Sequence, residues 1–580
     1  METHYTDEKN TQIVLGLLKA HKIRKVIASP GTTNIRLVAS MQQDSFFEIY
    51  SAADERSAAY IACGLAEESG ESVVLSCTGA TASRNYIPGL TEAFYRKLPV
   101  LAITSTQHMG RIGQNIAQVL DRSVQLNDMV KLSVQLPTCY CLEDEWSCNV
   151  QTNRAMLELT RMGKGPVHIN LETTYSSNFA VENLPEVYPI YRIEHEDNLP
   201  IIPNGKIGIF VGAHSKWSEN LTVTVDRFCE QHNAVVLCDQ TSNYRGKYRV
   251  LFNLITNQNK YHAVCNDFDL IIHIGNISGA YPNFRSKNEW RVHPDGEIRD
   301  TFQHLRYVFA MEEEYFFAQY IDKNIGQPIS NSFLSEWQNE YQAIYSNIPE
   351  LPFSNIWMAK YMANKLPENA ILHLGILNTL RSWNFFETPD KLDVYCNTGG
   401  FGIDGILSSA IGAALGNPEK IVFCVVGDLA FFYDMNALGN RHLKNNIRIL
   451  LINNGCGTEF KNYNHPGAQF GQNADAYIAA ANHYGAKSKQ LVMHYAVDLG
   501  FEYLQAAGKE EFKNGLERFL NPALTEKPMV FEVFTNWEDE SKALEVMNNL
   551  ITTPKDSIKS AIKGIVGEEG VKKIKKLMSK

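Results

Sequence analysis

Two residues that could hold a phosphate-bound cation follow neighbouring apolar runs. The run 420–427 (KIVFCVVG) is followed by Asp428, and the run 447–454 (IRILLINN) ends in Asn453-Asn454, ahead of Gly455-Cys456-Gly457. Such runs read as buried strands, which puts Asp428 and Asn454 at strand C-terminal ends, where open α/β sheets bind their ligands. Mg²⁺ takes oxygen ligands in octahedral geometry, often one or two carboxylates together with phosphate oxygens. One carboxylate, one amide oxygen, a loop carbonyl and a diphosphate would meet that demand, and the glycines let the backbone approach phosphate closely. A Gly-Asp pair at a strand end is common and mostly structural; the Asn-Asn that ends a second strand, 26 residues later, is what gives this one weight. Glu55, in Ala53-Asp54-Glu55-Arg56, opens a largely apolar helix. An acid there also suits the helix dipole without any further role. His108, within 105–113 (STQHMGRIG), is a candidate for proton transfer in a loop that could face an active site.

These residues need rigid elements to bring them together. The run 25–29 (KVIAS) reads as a strand closed by Pro30-Gly31, and 53–70 as a helix with Ala58, Ile61, Ala62 and Leu65 on one apolar face and a stop at Ser69-Gly70. Short β-rich runs follow at 72–77, 99–104 and 167–171. After a linker near 182–205, strands recur at 206–212, 234–238 and 269–275, and a third set lies at 369–374, 420–427, 447–454 and 529–534. Strands alternating with helices mean parallel sheets covered by helices. The chain of 580 residues is therefore expected to form three successive α/β domains with parallel sheets, at 1–180, 196–340 and 350–545, followed by a tail at 551–580.

Composition narrows the function. A net charge of −10 argues against a nucleic-acid binder, which needs basic surface. The start, METHYTDEKN, has no apolar signal-like segment, and no apolar run reaches membrane-spanning length, so the expected location is the cytoplasm. Most of the 11 cysteines sit in apolar runs and read as buried thiols; Cys139, Cys141 and Cys148 cluster, but their spacing fits no standard zinc site. The tail carries eight Lys against three Asp or Glu, with Ile558, Ile562 and Ile565 at helical spacing. It reads as a helix pair docked on the protein's own surface or, alternatively, as a basic amphipathic segment making weak contact with anionic membranes.

The motifs also have an ordered likeness. The segments 53–66 (ADERSAAYIACGLA), 78–86 (TGATASRNY), 402–405 (GIDG) and 427–438 (GDLAFFYDMNAL), followed by Asn453-Asn454, resemble thiamine diphosphate (ThDP) enzymes of the decarboxylase and acetolactate synthase superfamily. Within it the wording of GIDG, of 427–438 and of 165–172 (GPVHINLE) is most similar to the menaquinone-pathway synthases, which join a decarboxylated 2-oxoglutarate unit to isochorismate. The resemblance implies pyrimidine-binding, central and diphosphate-binding domains in that order. It implies ThDP and Mg²⁺ as cofactors, and Asp428, Asn454 and the carbonyl of Cys456 as metal ligands. Glu55 would serve the aminopyrimidine ring, Ile403 would prop the cofactor's bend, Ala430 would lie beside the diphosphate, and Asn85, Gly402, Gly427 and Leu429 would be further cofactor-binding residues. Sites shared between subunits of a homodimer or homotetramer are also implied.

The departures bear on substrate. The menaquinone synthases have an arginine just after Pro-Gly-Ser, where this chain has Pro30-Gly31-Thr32-Thr33, and another where it has Thr398; Arg381 matches a third. Such arginines meet substrate carboxylates, for which a planar fork is hard to replace. Ala80 replaces a glycine and Ala430 a serine. The expected function is decarboxylation of a 2-oxo acid with transfer of the acyl carbanion equivalent to an unidentified acceptor, with His108 and Arg381 as further catalytic candidates beside Glu55. A plain 2-oxo acid decarboxylase and the menaquinone synthase itself are the alternatives. A non-catalytic ThDP-fold scaffold is disfavoured by the joint presence of Glu55, Asp428 and Asn454.

Overall fold

The computed structural model of the chain describes residues 4–321 and 332–551. The basic tail expected at 551–580 therefore lies, but for its first residue, outside the described residues. The chain divides into two compact units. One comprises residues up to Pro200 together with Glu289–Ala310, and the other the remaining described residues.

In the first unit, the β-rich runs become β1 (Lys25–Ala28), β2 (Glu48–Ser51), β3 (Val73–Cys77), β4 (Val100–Thr106), β5 (Ser133–Leu136) and β6 (Val167–Glu172). They form one sheet in the order β2-β1-β3-β4-β6-β5, parallel throughout. β3, β4 and β6 are buried along their whole length, as strands covered by helices on both faces must be. Three more parallel strands belong to this unit, β7 (Tyr191–Ile193), β14 (Glu289–Val292) and β15 (Leu305–Phe309), with β15 between the other two.

The helix Glu55–Ser69 begins and ends as its sequence dictates. The Asp54 carboxylate caps it by accepting from Ser57 N–H at 3.0 Å, and Gly70 leaves it at φ +70°. Its buried stripe is made of small residues, Ala58, Ala59, Ala62, Cys63 and Ala66. They allow a close approach of the helix Ile87–Tyr95, where a Cβ on Gly89 would meet the Ala59 Cβ at 2.4 Å. Ile61, expected on that buried face, is instead 50 % exposed beside Tyr60 at 48 %. The small-residue stripe is the face the neighbouring helix can approach closely, which turns Ile61 outward.

In the second unit, β8 (Ile207–Val211), β9 (Ala234–Cys238), β10 (Arg249–Leu251) and β12 (Leu270–Ile274) run parallel in the order β10-β9-β8-β12. A short pair joins β11 (Asp267–Phe268) and β13 (Arg285–Ser286). The last sheet contains β16 (Ile371–Leu374), β17 (Asp393–Tyr395), β18 (Val422–Gly427), β19 (Ile447–Asn453), β20 (Glu502–Ala506) and β21 (Met529–Phe534). Its order, β17-β16-β18-β19-β21-β20, repeats the order of the first sheet, again all parallel. Cys424, Val426, Ile449 and Leu451 on one face pack against Leu407, Ala410 and Ile411 of the helix Ile406–Gly416. Full burial of each Val, Leu or Ile among them contributes roughly 1.5–3 kcal/mol. The expected class, α/β with successive parallel sheets, is the architecture observed. Among the described residues no helix is long and apolar enough to cross a membrane.

Candidate active site

The carboxyl ends of β16, β18 and β19 open on one cavity of about 330 Å³. In this strand order the chain leaves β16 toward one edge of the sheet and β18 toward the other, which creates the crevice that open α/β sheets use for ligands. Asp428 stands at the end of β18 and is 5 % exposed. Its Oδ2 accepts from Gly455 N–H at 2.7 Å and its Oδ1 from Leu429 N–H at 2.9 Å. Gly455 makes that approach at φ +77°, a conformation glycine adopts without steric cost. Burial pushes the Asp428 carboxyl up to about 7, against the opposing pull of the N–H donors. The two strand-ending asparagines separate: Asn453 turns its amide to Glu532 at 2.7 Å, while Asn454 lines the cavity and accepts from Cys456 N–H at 3.3 Å.

Gly427, Leu429, Ala430, Cys456 and Ile403 line the same cavity. A Cβ on Gly427 would meet nothing within 4 Å, so the backbone there is open to a ligand. Gly402 is exposed and is not part of the wall. The opposite wall is the segment 375–379, in which Leu377 adopts φ 65°, ψ −114° at the start of the helix Asn378–Trp383. A leucine in so sparsely populated a conformation stores about 1–3 kcal/mol and persists only where the surroundings impose it.

Three carboxylates line the cavity, Asp428, Glu459 and Glu540, and no Lys, Arg or His does so among the described residues. Glu540, on the helix Trp537–Met547, accepts from Asn355 N–H at 3.0 Å with both oxygens and from Thr535 Oγ1 at 2.9 Å. Burial pushes it up to about 7, with the charge of Asp428 acting in the same direction. Arg381 does not reach the wall. Its guanidinium grips Glu459 with two bonds, Nη1 to Oε2 at 2.7 Å and Nη2 to Oε1 at 2.8 Å. Glu459 and Glu540 went unnoticed in the sequence. Glu459 lies five residues beyond Asn454 in the same loop, a visible signal, whereas Glu540 comes from a distant helix and has none.

The remaining candidates lie in the first unit. Glu55 is half-buried and accepts from Asn85 Nδ2 at 3.3 Å. His108 is exposed and its Nδ1 accepts from Gly110 N–H at 3.1 Å, so the imidazole caps its own turn. That turn is anchored by buried Glu172, which accepts from Met109 N–H at 2.7 Å. Thr33, one of the two positions where an arginine was expected by resemblance, is 3 % exposed; its Oγ1 donates to the Ser105 carbonyl at 3.0 Å and lies 2.6 Å from Thr78 Oγ1. Thr398, the other, is 5 % exposed. Among the described residues no group of three or more His, Cys, Asp or Glu is placed to hold a metal. Beside Asp428, Asn454 lines the same cavity, and the Cys456 carbonyl accepts from Thr458 N–H at 3.0 Å.

The family model "Thiamine pyrophosphate enzyme, N-terminal TPP binding domain" matches residues 9–125, and "Thiamine pyrophosphate enzyme, C-terminal TPP binding domain" matches 378–533. The 2-succinyl-5-enolpyruvyl-6-hydroxy-3-cyclohexene-1-carboxylate synthase of Bacteroides fragilis is 31% identical over 568 residues, covering 93% of this chain and 98% of that protein. The synthase of the same name from Phocaeicola vulgatus is 32% identical with the same coverage, and that from Flavobacterium johnsoniae is 29% identical over 90% of this chain and 95% of its own. With both cofactor-domain models matched and such likeness along almost the whole length, the chain belongs to the thiamine pyrophosphate enzyme family.

Proposed function

We propose that the chain uses ThDP and Mg²⁺ to decarboxylate a 2-oxo acid and transfer the acyl carbanion equivalent to an acceptor, as a carbon–carbon bond-forming synthase. The observation that carries this reading is the buried Asp428 carboxylate in a cavity walled by carboxylates and, among the described residues, by no cationic side chain. With no cationic side chain on the described wall to meet a diphosphate, a metal cation would have to neutralise it, and Asp428, Asn454 and the Cys456 carbonyl would be the hard oxygen donors that Mg²⁺ takes. ThDP, when bound, supplies an electron sink for the carbon that loses CO₂. The chain's part is to hold and orient. Gly427, Leu429 and Ala430, which line the cavity, would hold the diphosphate, and Ile403 on the same wall would pack against the rings, while Gly402 lies off the wall. Glu55, which accepts from Asn85, would exchange a proton with the pyrimidine N1′ of a bound cofactor, and His108 is the candidate for proton transfer to the substrate. The outward Tyr60 and Ile61 on the Glu55 helix suit burial against a second copy, so that a homodimer or homotetramer completes each site.

A second reading, the menaquinone-pathway synthase itself, is supported by the names of the similar proteins, all synthases of that kind. Against it stand buried Thr33 and Thr398 in place of two arginines, and Arg381 already paired with Glu459. The test is CO₂ release from a panel of 2-oxo acids with ThDP and Mg²⁺, with and without candidate acceptors, and product identification by mass spectrometry. Release with incorporation into an acceptor supports the synthase. Release alone makes it a plain decarboxylase, and turnover of 2-oxoglutarate with isochorismate, at roughly the 1–10³ s⁻¹ of ordinary enzymes, selects the second reading. No release from any acid contradicts all three.

A further inference from the structure

We propose that Glu459 is a specificity-determining residue: it holds Arg381 as an internal counterion, so that this wall of the cavity selects an uncharged part of the substrate over a carboxylate. The inference rests on reading the cavity as the cofactor and substrate site.

The pairing is bidentate. Two N–H···O bonds join the guanidinium to the carboxylate, at 2.7 and 2.8 Å. Arg381 Nη1 also donates to Asn378 Oδ1 at 3.0 Å. Asn462 Nδ2 donates to the same Asn378 oxygen at 2.8 Å and to Glu459 Oε2 at 3.3 Å. Four side chains thus fix one another, and fork-to-fork pairing of this kind is strong and directional. The side chains of Arg381 and Glu459 are 28% and 19% exposed, so the pair is partly withdrawn from solvent screening.

The arrangement is asymmetric toward the cavity. Glu459 and Asn378 line it, and Arg381 does not. An arginine left free here would offer a fork to a substrate carboxylate, but this one is occupied. An incoming carboxylate would meet the charge of Glu459 before it could reach the guanidinium, and no cationic side chain lines the cavity among the described residues. A hydroxyl group meets no such barrier. A carboxylate has roughly four lone-pair sites. Arg381 takes two and Asn462 one, which leaves a place for a hydroxyl donor on Glu459. Like-charge exclusion of this kind is how a site rejects the wrong partner while offering modest contacts to the right one.

The experiment compares binding of 2-oxoglutarate, with two carboxylates, and 2-oxovalerate, with one, to the ThDP- and Mg²⁺-loaded full chain by calorimetry. Glu459→Gln preserves the shape of the pair and removes its negative charge. It is expected to raise the affinity for 2-oxoglutarate relative to 2-oxovalerate by about ten- to a hundredfold, the scale of one hydrogen bond to a charged group. Adding Arg381→Gln to that variant is expected to abolish the gain, and Arg381→Gln alone to lower the ratio below that of the wild type. A ratio unchanged in both single variants would overturn the proposal, whichever of them folds less well. Failure of the cofactor reading would show separately, as wild-type protein that releases no CO₂ from any 2-oxo acid whatever the binding ratios.

Discussion

Asp428 and Ala80 show how much a single position can say. At Asp428, desolvation raises the carboxyl to about 7 although backbone N–H groups hold its oxygens. A group so arranged gains most from a cation, because an ion at the carboxylate removes the cost of the buried charge. Ala80 makes the opposite kind of statement. The resemblance places glycine there, and the structure gives Ala80 φ +60°, in the left-handed region, at the first residue of the helix Ala80–Asn85. The Cβ pays a steric penalty that glycine would not, of about 1–2 kcal/mol. Ala80→Gly is therefore expected to stabilise the chain by about 1 kcal/mol once the greater freedom of glycine in the unfolded chain is set against it. Denaturant unfolding would measure this, and a loss of stability would mean that the local backbone does not carry the strain.

At the scale of elements, the strands were legible and the walls between them were not. Runs such as 420–427 and 447–454 are apolar, short and ended by glycine or asparagine, so strand, direction and the position of Asp428 and Asn454 all followed from local pattern. Ile61 did not, because helical spacing identifies a stripe but not which of two adjoining faces the neighbouring helix will cover; Gly89 opposite Ala59 decided that. Glu540 was illegible for another reason. It reaches the cavity from the helix Trp537–Met547 only because that helix packs across the start of the helix Asn355–Met362, where Ser354 is the N-cap and Asn355 donates its N–H to Glu540. That junction has a consequence with pH. Burial raises Glu540 from the ordinary carboxylate value of 4.5 to about 7. Between those values the folded chain keeps a proton that the unfolded chain has released. The contribution is thus fully present below the unfolded value and is lost as pH rises through about 7. Cofactor-free protein is expected to lose stability over that window, and Glu540→Gln to flatten the slope. Unfolding curves of both proteins at about pH 5 and pH 8 test this; identical slopes would show that Glu540 is not held protonated.

For the whole molecule, the repeated strand order in the first and last sheets gives two similar scaffolds, one carrying Glu55 and the other Asp428. The proposal that copies of the chain pair to complete each site rests on the outward apolar face of the Glu55 helix, with Ile61 50 % and Tyr60 48 % exposed. Light scattering is expected to find a dimer or tetramer for the wild type and a smaller species for Ile61→Asp, with reduced CO₂ release; a monomeric wild type with full activity would contradict this. The central claim, that the cavity at β16, β18 and β19 takes ThDP through a cation held at Asp428, is tested most directly by calorimetric titration of ThDP into the full chain. The account predicts tight binding in Mg²⁺, loss of that binding when the metal is chelated, and no binding by Asp428→Ala in Mg²⁺ while its circular dichroism stays that of the wild type. Equal ThDP affinity with and without Mg²⁺, or undiminished affinity in Asp428→Ala, would contradict it.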